Sequence, residues 1–406
     1  MANACVCCKS NRLEKLIELG SQPPSNRYLT SEEEKCETHP LEFGYCSACG
    51  IGQLINPMPP DMVRSHFDWI TYNEPEGHLD DLVETLAAKI GISSGTRVFG
   101  VTYKDDSTLL RFNRKGVSDT YRIKEKEDLN IQESHASLET IQSTLSQSIA
   151  KKFASLNGQA DIVLVRHILE HAHDPRQLLE ACLQLCKPGG LLVLEVPDCR
   201  KVLEGHDHCF IWEEHISYFT PETLRGFLEG CGLADLEIKS YPYPMEDSLI
   251  AIVRNVRAPT QDAPMEVASE IARLRDFAYS FSSRGLNIKR HLQALQAQGK
   301  KVFLFGAGHL AAKFINFYGL APYLSGVIDD NPNKLGRFMP GSKLPIVGSR
   351  CLDSGDADLC LLTLNPESEQ KVLKAKADYL SRGGKFRSIF SASTNSIDRD
   401  IRNDPT

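Results

Sequence analysis

Leu191-Leu192-Val193-Leu194-Glu195-Val196-Pro197 is a nearly unbroken apolar run. Such a run reads as a strand covered on both faces, the habit of parallel sheets. It starts directly after Lys187-Pro188-Gly189-Gly190, a turn that ends a helical stretch through Leu178-Leu179-Glu180-Ala181-Cys182-Leu183. A second short apolar strand, Asp161-Ile162-Val163-Leu164-Val165, precedes that helix. Strand, helix and strand in alternation predict an α/β layer, and the alternation runs from Gly95 to about Val253 behind a helix at His78–Ile90. Ligands of such sheets gather beyond the strands' carboxyl ends. There the chain carries Trp212-Glu213-Glu214-His215-Ile216-Ser217-Tyr218-Phe219, whose carboxylates, imidazole and phenol suit proton handling.

The first sixty residues are rich in cysteine and turns and close on Asn56-Pro57-Met58-Pro59-Pro60. Cys5-Val6-Cys7-Cys8 and Cys46-Ser47-Ala48-Cys49-Gly50 each supply a C-x-x-C pair. Four thiolates at this spacing suit tetrahedral zinc and leave it no open position, which predicts a structural metal on Cys5, Cys8, Cys46 and Cys49. Cys7 and Cys36 are alternates for one ligand. Cys182, Cys186, Cys199, Cys209, Cys231, Cys351 and Cys360 have no ligand spacing and read as small buried apolar residues.

A helix-favouring stretch between Pro259 and Gln298 leads to a second α/β unit. Its strand Lys301–Phe305 runs into Gly306-Ala307-Gly308 and a helix from about Leu310, and a further strand ends in Asp329-Asp330. The turn suggests a phosphate cradle, with Asp329 near the place of a ribose-binding acid. The expected architecture is α/β in three units: a zinc-ribbon-like unit at 1–60, a Rossmann-type domain at 61–258, and a linker helix with a Rossmann-like domain at 259–406.

With 406 residues there is material for two or three cores. A formal charge of -7 and a pI near 6.0 give no electrostatic case for nucleic acid. No apolar run approaches the roughly 20 residues a membrane helix needs. Met1-Ala2-Asn3-Ala4-Cys5 lacks the features of a secretory signal, so a cytoplasmic chain with reduced thiols is expected.

Arg166-His167-Ile168-Leu169-Glu170-His171, Asp174-Pro175 and Lys187-Pro188-Gly189-Gly190 resemble the second half of a class I S-adenosylmethionine methyltransferase. Leu194-Glu195-Val196-Pro197 and Trp212–Phe219 resemble the E-V-P and Y-H-E-H-x-S-Y-F motifs of sugar C-methyltransferases acting on nucleotide-linked keto-deoxysugars. The likeness extends to Leu19-Gly20-Ser21-Gln22-Pro23, to Cys49-Gly50-Ile51-Gly52-Gln53-Leu54 and to the run from Asp329 to Gly341. It implies removal of a proton beside a keto group and passage of the enolate to the sulfonium methyl. His215 is the preferred base, Glu214 its orienting partner or a competing base, and Tyr218 a donor. His171 joins this catalytic group. The last domain would hold the nucleotide-sugar, with Gly306, Gly308, Asp329, Lys334 and Arg337 as its residues.

The cofactor half departs from the pattern. Val98 stands in place of the first acid, the turn has extra length before Asp106, and Ser107 replaces the second glycine. Gly100, Asp106, Asp119 and His167 are the remaining candidates for holding S-adenosylmethionine. Trp212 stands where Tyr is usual and Glu213 where the first His is usual. Two other readings follow: a non-catalytic nucleotide-sugar-binding protein, and an NAD-dependent sugar oxidoreductase or epimerase using the Gly306–Gly308 turn.

Overall fold

The apolar run at Leu191 lies within a longer strand, Cys186–Asp198. The computed structural model describes residues 4–70, 74–132, 138–258 and 267–403. In it this strand occupies a six-stranded sheet ordered Asp119–Arg122, Arg97–Gly100, Ala160–Arg166, Cys186–Asp198, Asp247–Arg254 and Leu236–Tyr241. The first four strands are parallel and the last two antiparallel. Residues 187–190, expected as a turn before the strand, belong to it as a bulge: Ala160 pairs with Cys186 and Ile162 with Leu191. Gly189 supplies the left-handed backbone there, at φ +77.

Both faces of the sheet are covered, as the apolar run implies. Val163, Val165, Leu192 and Leu194 pack with Leu178, Leu179 and Cys182 of helix Pro175–Leu185. Ile162, Leu164, Leu191 and Val193 point the other way, onto helices Leu79–Ile90 and Asp106–Arg114. This is the two-residue period of a strand buried on each side. Helix Pro175–Leu185 starts where Asp174 accepts from the Gln177 amide at 3.1 Å and Pro175 takes the first position.

The second parallel sheet runs Ile346–Val347, Gly326–Ile328, Val302–Phe305, Leu359–Leu362 and Lys385–Ser388. Its order reverses direction at Val302–Phe305, which opens a crevice at that strand's carboxyl end. The helix Val267–Ala297 connects more than it separates. Leu274 and Phe277 enter the core of the N-terminal unit, while Ile288 and Leu292 enter that of the C-terminal unit. The 258/259 boundary adjoins residues 259–266, which lie outside the described residues.

The N-terminal sheet comprises Leu13–Gln22, His39–Cys46 and Gly52–Leu54, and its fourth strand is Ser217–Tyr218. A piece of the central unit thus completes the first unit's sheet. That pairing fixes the segment Trp212–Phe219 in space. Among the described residues no helix is long and apolar enough to cross a membrane.

Candidate active site

The two C-x-x-C pairs converge. Cys5 Sγ lies 3.7 Å from Cys49 Sγ, and Cys8 Sγ lies 3.5 Å from Cys46 Sγ. A tetrahedron with zinc–sulfur bonds near 2.3 Å has edges of about 3.8 Å, so the four sulfurs fit one such ion. Each knuckle bends back on itself: the Lys9 amide reaches Cys5 O at 2.9 Å, and the Gly50 amide reaches Cys46 O at 2.8 Å. Of the two alternates, Cys7 turns instead toward Ser217 Oγ at 3.8 Å, and Cys36 is absent from the four-sulfur group.

A cavity of about 1030 Å³ opens where the carboxyl ends of the two parallel sheets face each other. His167, Glu170, His171, Glu214 and His215 line one wall, while Gly306, Gly308, His309, Asp329 and Lys334 line the other. The His171 and His215 rings meet edge to face at 4.8 Å. Trp212 lies 4.8 Å from His215 and stacks on His309 at 4.3 Å, so aromatic rings bridge the two walls. His171 Nδ1 bonds Glu139 Oε1 at 2.9 Å, and Asn26 Nδ2 donates to Glu214 Oε1 at 3.2 Å.

Burial sets the charge states here. It pushes the imidazolium pKa of His215 well below its ordinary 6.5, with His171 and His309 adding to the effect, so the ring is unprotonated. It also raises the Glu214 carboxyl well above the carboxylate range, reinforced by Glu139 and Glu213. Burial thus favours the neutral form of both groups, and His171 lies between them, grouped with His215 on one side and with Glu214 on the other. Glu213 points elsewhere: it accepts from the Ser25 amide and forms a buried ion pair with Lys313 of helix His309–Tyr318.

Glu195 of the E-V-P motif is a hub beneath the cavity. It receives Arg166 Nε, His167 Nε2 at 3.0 Å and Ser248 Oγ at 2.6 Å. His167 has a left-handed backbone, φ +50, a strained position for a residue with a side chain. Burial opposes its charge, yet the carboxylates of Glu74 and Glu195 push its pKa up to about 10.

Tyr218 does not join the cavity. It pairs with Gly52, its ring packs edge-on against Phe43 at 5.1 Å, and its hydroxyl accepts from the Trp212 amide at 2.8 Å. Its place is in the core of the N-terminal unit. At the turn expected to meet the cofactor, the Asp105 carboxylate accepts from the amides of Val101 at 2.8 Å and Thr102 at 2.9 Å and so occupies the turn's backbone. Gly100 is required because a Cβ there would stand 2.7 Å from Asp105 Cβ. Asp106 is exposed and meets Arg122 at 3.1 Å. Asp119 lies at the amino edge of the sheet, held by Arg97 at 2.7 Å, and is remote from the strands' carboxyl ends.

In the C-terminal crevice, Asp329 accepts from the Ala307 amide at 3.0 Å and from Lys334 Nζ at 2.9 Å. Arg337 stands over the Phe67 ring at 4.9 Å, outside the cavity lining. Sequence reasoning missed Glu74, Lys104, Glu139 and His309, all of which line the cavity. Lys104 and His309 each follow a strand's carboxyl end, a positional signal that was available. Glu74 and Glu139 carry none.

Comparison with known proteins bears on the family. Residues 26–238 match the family described as methyltransferase domain, and residues 250–390 match the C-methyltransferase C-terminal domain. The chain is 23% identical over 398 residues to the C-methyltransferase NovU of Streptomyces niveus, covering 94% of each. It is 40% identical over 62 residues to the ubiquinone biosynthesis O-methyltransferase of Escherichia coli O7:K1, covering 15% of this chain and 24% of that one. A solved SAM dependent methyltransferase from Archaeoglobus fulgidus aligns with a TM-score of 0.30 at 16% identity, covering 43% of this chain and 94% of that one.

Proposed function

Because the chain belongs to the methyltransferase domain family, we propose that it is an S-adenosylmethionine-dependent C-methyltransferase acting on a nucleotide-linked keto-deoxysugar. The observation that carries this reading is geometric: His215, in ring contact with His171, and Glu214 line one cavity shared by both sheet crevices, and burial favours the neutral form of each. His215 accepts the proton from the carbon next to the keto group. His171, which is grouped with His215, and Glu214, which is grouped with His171 and Glu139, would steady the charge that develops on the keto oxygen. When bound, the donor supplies an electrophilic methyl group. Tyr103, Lys104 and Glu74 line the part of the cavity nearest the altered turn and give the donor its wall.

The C-terminal crevice suits a nucleoside diphosphate. Helices His309–Tyr318 and Pro366–Ala375 both begin at the cavity, where helix N-termini favour phosphate, and Lys334 adds a cation.

Titration calorimetry with S-adenosylmethionine is expected to show saturable heat. No heat at millimolar donor would sink the proposal. With donor and a nucleotide-linked 4-keto-6-deoxysugar, NMR of the product should show a new methyl carbon bonded to a ring carbon; methylation only on oxygen would exclude C-transfer.

The four sulfurs are proposed to hold a structural zinc ion. Cys46→Ser is expected to reduce bound zinc from about one per chain toward none and to lower thermal stability, as loss of a structural site does. Elemental analysis with a thermal melt checks it. Full zinc retention in the variant would remove Cys46 from the site.

A further inference from the structure

We propose that Lys104 and Glu74 form the receptor for the amino-acid end of the methyl donor, Lys104 binding its α-carboxylate and Glu74 its α-ammonium. The inference rests on the reading of the cavity as a donor site and assigns the part of that site which the glycine-poor turn leaves unexplained.

A glycine-rich turn lets a ligand approach close to the backbone. Here the amides of Val101 and Thr102 are already committed to the Asp105 carboxylate, and the Lys104 amide to Thr102 Oγ1 at 3.2 Å. Little of the turn's backbone remains to greet an anion. What the turn presents to the cavity is charge on side chains: Lys104 Nζ and Glu74 Oε1 lie 2.8 Å apart, and both residues line the wall.

The turn is anchored from beneath, because the Lys104 carbonyl accepts from the buried Arg166 guanidinium. The neighbouring Glu76 accepts from Ser107 Oγ at 2.6 Å, which pins the strand of chain carrying Glu74 to the same turn. Glu74 remains a carboxylate: burial opposes this, yet His167 and Lys104 bring its pKa down to about 2. An opposed ammonium and carboxylate at this spacing are the mirror of an α-amino acid zwitterion. Inserting one exchanges a single ion pair for two and leaves no buried charge without a partner. The Tyr103 ring lies 5.7 Å from Lys104 Nζ, and it and Leu138 line the same cavity, offering apolar surface to the rest of the donor.

The test compares S-adenosylhomocysteine with 5′-methylthioadenosine, which keeps the nucleoside and thioether but lacks the amino acid, by titration calorimetry on the full chain. Two charge-assisted contacts should make the wild-type protein bind S-adenosylhomocysteine about ten- to a hundredfold more tightly. Lys104→Met and Glu74→Gln should each shrink that ratio toward unity while leaving the affinity for 5′-methylthioadenosine unchanged. Glu74 is the more exposed partner, so its variant carries the test if the Lys104 variant does not fold. Equal wild-type affinities, or a ratio that survives both substitutions, would overturn the inference and leave the donor site standing. Failure of both ligands to bind the wild-type protein would overturn the donor reading together with it.

Discussion

His215→Asn is expected to lower kcat by about 10²–10⁴-fold, the usual contribution of a positioned general base, with donor affinity unchanged. The basis is the state of the ring. Burial, with His171 and His309 adding to it, depresses the His215 pKa well below 6.5, which keeps the imidazole in its unprotonated form. The sign follows for pH. A base must be deprotonated, and a depressed pKa keeps it so, so kcat should persist as pH falls through 6.5 and decline only at more acidic values. A steady-state pH profile checks both points. An acidic limb centred at or above 6.5, or a variant within tenfold of wild type, would assign the proton to another group.

Lys313→Met is expected to destabilise the folded chain by about 3–5 kcal/mol, the cost of leaving one member of a buried ion pair alone. Both side chains of the Glu213–Lys313 pair are fully buried. The variant removes the Lys313 ammonium from Glu213, which keeps its hydrogen bonds to the Ser25 backbone and hydroxyl. Because Glu213 precedes Glu214 and His215 in the chain, kcat should fall as well. The double variant E213Q/K313M removes both charges and should recover most of the stability, since a neutral pair of similar volume often substitutes without loss. Urea unfolding of wild type, both single variants and the double variant gives the coupling. Additive effects would show that the two residues do not depend on each other.

This pair also accounts for a departure from the sugar C-methyltransferase motif. Glu213, standing where a histidine is usual, is the partner that Lys313 requires from the other domain. The Glu213 side chain therefore ties the segment carrying His215 to the C-terminal unit and lies outside the cavity lining.

Much of this was legible along the chain. The apolar run at Leu191, the alternation of strand and helix, the spacing of Cys5, Cys8, Cys46 and Cys49, and the adjacency of Glu214 and His215 are all local. Tyr218 was not readable in the same way. Successive strand residues face opposite sides, so whether Tyr218 faced the cavity or the N-terminal core depended on its pairing with Gly52, far away in sequence. Asp119 misled for a related reason: it opens its strand where a cofactor-binding acid would close it.

The α/β class, the four thiols and the segment proposed to carry the base could be read along the chain, because periodicity and spacing act over a few residues and need no distant partner. Only the tertiary structure decided which groups share the cavity and which charges they carry. Glu139 reaches His171, Glu74 reaches Lys104 and Lys313 reaches Glu213 across separate elements. The reason is physical: a side chain's protonation follows its burial and its neighbours' charge, and both exist only once the three units have packed together.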